Sequence, residues 1–150
     1  TEPQATFSAC FGKAFLPLHP AKYAELLGKK LKDNPDIKVW LVNTGWSGGS
    51  YGVGSRMKLS YTRAMISAAL NGEFDKTEFE ELPIFRLRIP KACTGVPTEI
   101  LNPRLTWNDK AAFDQTAADL AGKFVKNFQQ YADGASAEIL AAAPSVPEVA

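Results

Sequence analysis

The sequence predicts an α/β fold of alternating helical and extended segments, and three stretches carry that prediction. The run AKYAELLGKKLK places Tyr23, Leu26, Leu27 and Leu31 at helical spacing. Ile37 to Asn43 is a β-branched and aromatic run bounded by turn residues, the pattern of a mostly buried strand. Further on, Phe113, Leu120, Phe124, Phe128 and Tyr131 form the apolar stripe of a long helix.

Taken in order, the first helix spans about 21 to 32. His19 and Pro20 stand at its start, and Asp33-Asn34-Pro35-Asp36 ends it. Lys29, Lys30 and Lys32 lie opposite its leucines and read as a solvated face. After the strand at 37–43 comes a glycine-rich loop, and Arg56 to Leu59, alternating polar and apolar, reads as a second short strand. Ser60 is placed to cap a helix through Tyr61, Ala64, Met65, Ala68, Ala69 and Leu70, which Asn71-Gly72 stops. Glu78 to Glu81 reads as acidic surface, Ile84 to Ile89 as an extended segment before Pro90, and the proline-punctuated stretch to Arg104 as an ordered loop or short turns. Asn108 or Asp109 caps the last long helix, whose stripe is expected to make core contacts. Beyond Gly134, SAEILAAA suits one or two helical turns before PSVPEVA frays. There is no internal repeat and no interdomain linker.

Composition narrows the function. At 150 residues, 45% hydrophobic and 11% aromatic, the chain is large enough for one globular domain. A net charge of +1 argues against a nucleic-acid partner, which needs a basic face to neutralise phosphates. No stretch of about 18 apolar residues is present to span a bilayer, the N-terminus lacks the order of a signal peptide, and Pro-Glu-Val-Ala is not a peroxisomal tripeptide. Cytoplasm is the expected compartment. Cys10 and Cys93 have no His or Cys at metal-ligand spacing, so a zinc site is not expected, and lone thiols suit a reducing compartment.

The stretch VWLVNTGWSGGSYGVGSRMKLSYTR, Val39 to Arg63, is the most informative in the chain. Its order of apolar strand, glycine loop and helix start is a common way to hold a nucleotide. It is not a Walker A loop: Gly49 and Gly54 have the spacing, but Ser55 and Arg56 follow where Lys and Ser or Thr are required. Nor does Gly52-Val53-Gly54 extend to G-x-G-x-x-G, since Met57 stands where the last glycine would fall.

Six segments in order carry a more specific signal: Thr1 to Leu27, WLVNTGW (Trp40 to Trp46), RMKLSYTRAMISAALNG (Arg56 to Gly72), Ile89-Pro90, GVPTEILNPR (Gly95 to Arg104) and LAGKFVKNF (Leu120 to Phe128). Together they resemble the C-terminal part of an ATP-dependent phosphoenolpyruvate carboxykinase. The likeness runs from Thr1 to about Asp133. It implies the C-terminal part of a mixed-sheet mononucleotide-binding domain over 1–133, with a partly helical or frayed tail over 134–150. Family members are several times longer, and their P-loop-like GTGKT segment, metal-binding Asp and His residues and oxaloacetate-binding Lys and Arg residues have no match here. The chain is therefore expected to be incomplete, a reading with which its start at Thr1 in mid-motif agrees.

The resemblance implies oxaloacetate and ATP as substrates, phosphoenolpyruvate, CO₂ and ADP as products, and Mg²⁺ and/or Mn²⁺ bound by residues outside this chain. Its other partner would be the remainder of the same enzyme, with room for a homo-oligomer. The nucleotide-binding positions carried over are Arg56, Met57, Leu59 and Thr62. A guanidinium stacks on a π-face, apolar walls bury a base and a hydroxyl reads its edge. From the residues alone, Arg56 reads equally as a surface ion pair, Trp46 as packing across the loop, and Arg63 as a phosphate contact or an ion pair. Asn43, Thr44 and Gly45 suit either a strand-end ligand site or a turn. Cys10 lies in a segment resembling the edge of the family's cleft, although packing explains it as well. Thr1 and Glu2 resemble the end of a lid loop. Two further readings stand beside the enzyme: a free-standing adenine-nucleotide-binding module, and a structural fragment without its sheet neighbours.

Overall fold

A proline opens the first helix. In the computed structural model, which describes residues 6–8, 12–43 and 45–146, α1 spans Pro20–Asp33 and His19 Nδ1 accepts from the Ala21 N–H at 3.3 Å. Proline suits this first position because it has no N–H to leave unpaired. The helix stops at Asn34, whose side chain donates to the Lys30 carbonyl at 2.8 Å. The expected bounds thus hold within a residue, although Leu26 and Leu27 are exposed and only Ala21 is buried. Thr1, Glu2, Cys10 and Thr44 lie outside the described residues.

The strand expected over 37–43 is not formed. The segment is irregular, and Leu41 is 81% exposed. β-branched residues favour a pleated strand only where a second backbone lies alongside, and among the described residues none does. The segment is instead held from its ends and one face. The Ile37 N–H donates back to Asn34 O at 3.1 Å, Lys38 pairs with Asp75, and the Trp40 ring lies 5.1 Å from Phe74 and 6.0 Å from Phe79.

Two antiparallel hairpins supply the described strands. In the first, β1 (Trp46–Ser47) pairs with β2 (Ser55–Arg56), so the strand expected over 56–59 is shorter and earlier. Helix α2 (Leu59–Leu70) starts from Lys58, whose extended backbone (ψ 136°) and carbonyl, accepting from Tyr61 N–H at 3.0 Å, make it the cap. Ser60 therefore falls inside the first turn rather than at the cap. The helix ends as expected, with Gly72 left-handed at φ 71°.

The second hairpin, β3 (Phe79–Leu82) with β4 (Leu87–Pro90), forms over the stretch expected to be acidic surface at 78–81, where Glu78 and Glu81 are exposed as expected. Two of its glutamates and their neighbours make polar contacts: Glu80 accepts from Asn102 Nδ2 at 2.7 Å and Lys91 reaches Glu78 at 3.1 Å, while Glu81 stands opposite Arg88 in the ladder. Residues 84–86, expected to be extended, make the turn, with Arg86 at φ 55°.

Two short helices follow, α3 (Thr98–Leu101) and α4 (Pro103–Thr106), then α5 (Lys110–Phe128), capped by Asp109 accepting from Ala112 N–H at 3.0 Å. The face of α5 that is buried is Ala117, Ala118 and Ala121, not the aromatic stripe, from which Leu120 and Phe124 remain 41% and 45% exposed. Small residues let the helix approach its neighbours closely, while the rings make edge contacts only, Phe124 with Phe7 at 5.5 Å and Phe85 at 6.3 Å. The last helix, α6 (Ala137–Ala141), is tied to the β3–β4 turn: Arg86 Nη1 donates to Ala141 O and Ser145 N–H to Ile84 O, each at 2.7 Å.

The chain therefore mixes helices and small antiparallel sheets, and the larger mixed sheet is not seen among the described residues. Its principal core is Ala68, Phe74, Cys93, Val96 and Leu101, with Tyr61, Met65, Phe79 and Ile100 packed around it. Among the described residues no helix is long and apolar enough to cross a membrane. Phe74 is 6% exposed and joins this core to Trp40 and Phe79. Phe74→Ala is expected to lower unfolding free energy by about 3 kcal/mol. Phe15→Ala, at a ring 80% exposed, should change it by less than about 0.5 kcal/mol. Urea midpoints of the two variants check this.

Candidate functional site

The glycine loop is shaped by close backbone approach. Residues 48–54 join β1 to β2, with Gly48 at φ 83° and Gly52 at φ 89°. At Gly54 an added Cβ would lie 2.4 Å from Gly49 O and 2.7 Å from Ser47 O, so no side chain fits. Ser50 O accepts from both Val53 N–H (3.1 Å) and Gly54 N–H (2.9 Å), which closes the loop. At the open end of the hairpin, Met57 N–H donates to Gly45 O at 3.1 Å, and Asn43 Oδ1 accepts from Gly45 N–H at 3.2 Å, an Asx turn.

A contact distant in sequence anchors this hairpin. Ser47 Oγ lies 3.2 Å from Thr106 Oγ1, which itself donates to Pro103 O at 2.7 Å. Thr106 escapes the sequence reading because it stands 59 residues away from Ser47, and no local pattern marks it. Its helix is braced in turn by a two-pronged ion pair: Arg104 Nε and Nη2 donate to Asp114 at 2.7 and 2.8 Å. The hydrogen bonds from Arg104 hold the Asp114 carboxyl below its ordinary value.

The four predicted nucleotide positions fall on two elements. Arg56 is exposed on β2, directly opposite Trp46 in the ladder, so both side chains stand on one side of the ribbon. Trp46 in turn meets Tyr51 edge to face at 5.6 Å. Leu59, exposed, and Thr62, half-buried, lie one turn apart on α2 and share a face. Met57 alone of the four turns into an apolar groove of about 880 Å³, which Trp40, Val42, Phe79, Leu87 and Ile89 also line. That groove was not anticipated, because Val42 and its neighbours read as buried strand.

Other candidates separate cleanly. Arg63 is exposed on α2 and Gly45 closes the hairpin base. Cys93 is buried, and desolvation, with Glu73 nearby, raises its thiol pKa, so it stays protonated and packs as a small apolar side chain. Among the described residues no group of three or more His, Cys, Asp or Glu side chains is placed to hold a metal ion.

A profile of the family described as phosphoenolpyruvate carboxykinase matches residues 1–99. Three relatives named phosphoenolpyruvate carboxykinase (ATP) are similar over nearly the whole chain. The protein from Flavobacterium johnsoniae is 61% identical over 96% of this chain. That from Caldanaerobacter subterraneus subsp. tengcongensis is 60% identical over 96%, and that from Christiangramia forsetii 56% over 95%. In each case the matched region is 27% of the relative, so the chain spans about a quarter of their length.

The Arg104–Asp114 brace has a pH signature. Because the folded pKa of Asp114 lies below its unfolded value, the stabilisation is complete above the ordinary 3.8 and is lost as pH falls through the lower folded value. Asp114→Asn should therefore unfold at lower urea than the unsubstituted chain at pH 7. The difference should close as the pH is taken below 3.8.

Proposed function

Because the chain belongs to the phosphoenolpyruvate carboxykinase family, we propose that it supplies the adenosine end of an ATP site. The whole enzyme in this reading converts oxaloacetate and ATP to phosphoenolpyruvate, CO₂ and ADP. The observation that supports it most is the hairpin, which presents Arg56 and Trp46 on one side immediately before α2. An exposed guanidinium beside an aromatic ring suits stacking on a purine. Leu59 supplies apolar surface and Thr62 a hydroxyl one turn further on in α2.

The role is positioning. Decarboxylation of oxaloacetate leaves an enolate oxygen that takes the γ-phosphoryl group, and charge on both partners is offset by divalent metal, Mg²⁺ and/or Mn²⁺. The metal donors and the groups that hold oxaloacetate belong, in this reading, to the remaining part of the enzyme. What these residues contribute is the fixed location of the nucleoside, from which the γ-phosphate reaches the reacting centre. The loop backbone is held by Gly54 and by the Ser47–Thr106 contact, so Arg56 projects from a defined platform. The mononucleotide-binding domain to which this hairpin would belong is part of the same proposal, as is a cytoplasmic location.

The test is Arg56→Ala in the complete carboxykinase. The KM for ATP is expected to rise by roughly one to two powers of ten, equivalent to about 1.4 to 2.8 kcal/mol of uniform binding, with kcat little changed. An unaltered ATP KM in a normally folded variant removes Arg56 from the site. For the 150-residue chain by itself, ATP titration separates a binding module from an inert segment. A Kd at or below about 1 mM that weakens in the Arg56→Ala variant supports the module.

A further inference from the structure

We propose that Thr106 is a positioning residue for the nucleotide: it fastens the glycine hairpin from the face away from the ligand, and so sets where Arg56 meets ATP. The proposal rests on the nucleotide reading above and adds to it a residue outside the loop.

The hairpin has little of its own to hold it in place. Strands β1 and β2 are two residues each, and even a longer isolated two-stranded ribbon is marginal in water. Among the described residues, residues 46–56 make one hydrogen bond to a segment distant in sequence, from Ser47 Oγ to Thr106 Oγ1 at 3.2 Å. A second contact lies beside it. A Cβ added at Gly48 would stand 3.1 Å from the Thr106 carbonyl oxygen, so the backbone leaving β1 rests against the same residue.

The direction of the contact suits positioning. Successive side chains of a strand point to opposite faces. Trp46 stands on the side it shares with Arg56, so Ser47 reaches the other side, where Thr106 meets it. The ligand side is left clear. The hydroxyls also act in a fixed sense. Thr106 gives its one proton to Pro103 O at 2.7 Å, which leaves its oxygen to accept from Ser47. A valine of the same shape can do neither, and a serine can do both.

Thr106 is itself held from three sides. Lys110 Nζ donates to the carbonyls that flank it, Leu105 O at 2.9 Å and Trp107 O at 2.5 Å. Arg104 is forked on Asp114 of α5, and Asn102, the cap of α4, donates to Glu80 of β3. The hairpin is thus referenced to a point that α4, α5 and the second hairpin fix together.

ATP kinetics of the complete carboxykinase test this. Thr106→Val is expected to raise the ATP KM roughly tenfold with kcat little changed, while Thr106→Ser keeps it within about twofold. Ser47→Ala deletes the same hydrogen bond from the hairpin side and should reproduce the rise; it decides the matter if Thr106→Val does not fold. In an Arg56→Ala background, Thr106→Val should add less than about twofold, because both act through one contact to the nucleotide. An unchanged ATP KM in either folded variant overturns the proposal, even where Tm falls, and leaves Thr106 a purely structural residue. A full tenfold rise on top of Arg56→Ala, or an equal rise in Thr106→Ser, overturns it as well. If Arg56→Ala by itself leaves the ATP KM unaltered, the nucleotide reading falls and this proposal with it. A raised KM in Arg56→Ala beside a silent Thr106→Val overturns this proposal alone.

Discussion

Three rings hold this structure to its site. Phe74, in the turn after α2, lies between Trp40 from the segment before the glycine loop and Phe79 at the start of β3, with centroids 5.1 and 6.4 Å away. Each ring comes from a different element, and each element is otherwise short. Phe74 is buried in the same cluster as Ala68, Cys93, Val96 and Leu101, so the cluster ties α2, the second hairpin and the approach to the loop into one unit. Aromatic pairs of this kind add to simple area burial through ring geometry. Without Phe74, Trp40 keeps only its 6.0 Å contact with Phe79, and the segment ahead of the glycine hairpin relies on that, the Lys38–Asp75 pair and its end contacts.

The glycine hairpin depends on that unit at one end and on Thr106 at the other. Its conformation follows from steric exclusion: Gly54 lies against two carbonyl oxygens, which leaves one way for the chain to return. The fixed return places Arg56 across from Trp46 and starts α2 three residues later. A loop that, in the proposed reading, binds through its flanking residues needs this rigidity more than it needs a phosphate cradle. This is consistent with a sequence that has Walker-like glycine spacing but neither the lysine nor the hydroxyl.

Helices were legible from the chain because their signals are local. His19-Pro20, Asn71-Gly72 and Asp109 all act where the sequence places them, each through a bond to a residue within a few positions or through a single left-handed φ. The β structure was less legible, since pairing is a contract between distant segments. Phe79–Leu82 carries two glutamates and reads as surface until Arg88 and Asn102 are brought opposite them. The candidate site was readable in part: the hairpin bearing Arg56 sits inside one continuous motif. Thr106 and the groove were not, because both arise from tertiary contacts. The alanine face of α5 was missed for another reason. A stripe of large rings dominates any reading of hydrophobicity, yet the side chains that end up buried are the small ones, Ala117, Ala118 and Ala121.

The disagreement over residues 37–43 is itself informative. The run Ile37-Lys38-Val39-Trp40-Leu41-Val42 has the composition of a buried strand, yet Val39 and Leu41 are 64% and 81% exposed. Leu26 and Leu27 on α1 and Phe124 on α5 are exposed too. These surfaces are ordered rather than scattered: one strand-like segment with a period of two, and two helix faces with helical spacing. The helices are encoded locally, whereas the segment at 37–43 is not, and the chain spans about a quarter of the length of the relatives it matches. Residues 37–43 thus carry the sequence pattern of a strand, and they do not form one because, among the described residues, no second backbone lies alongside to pair with them.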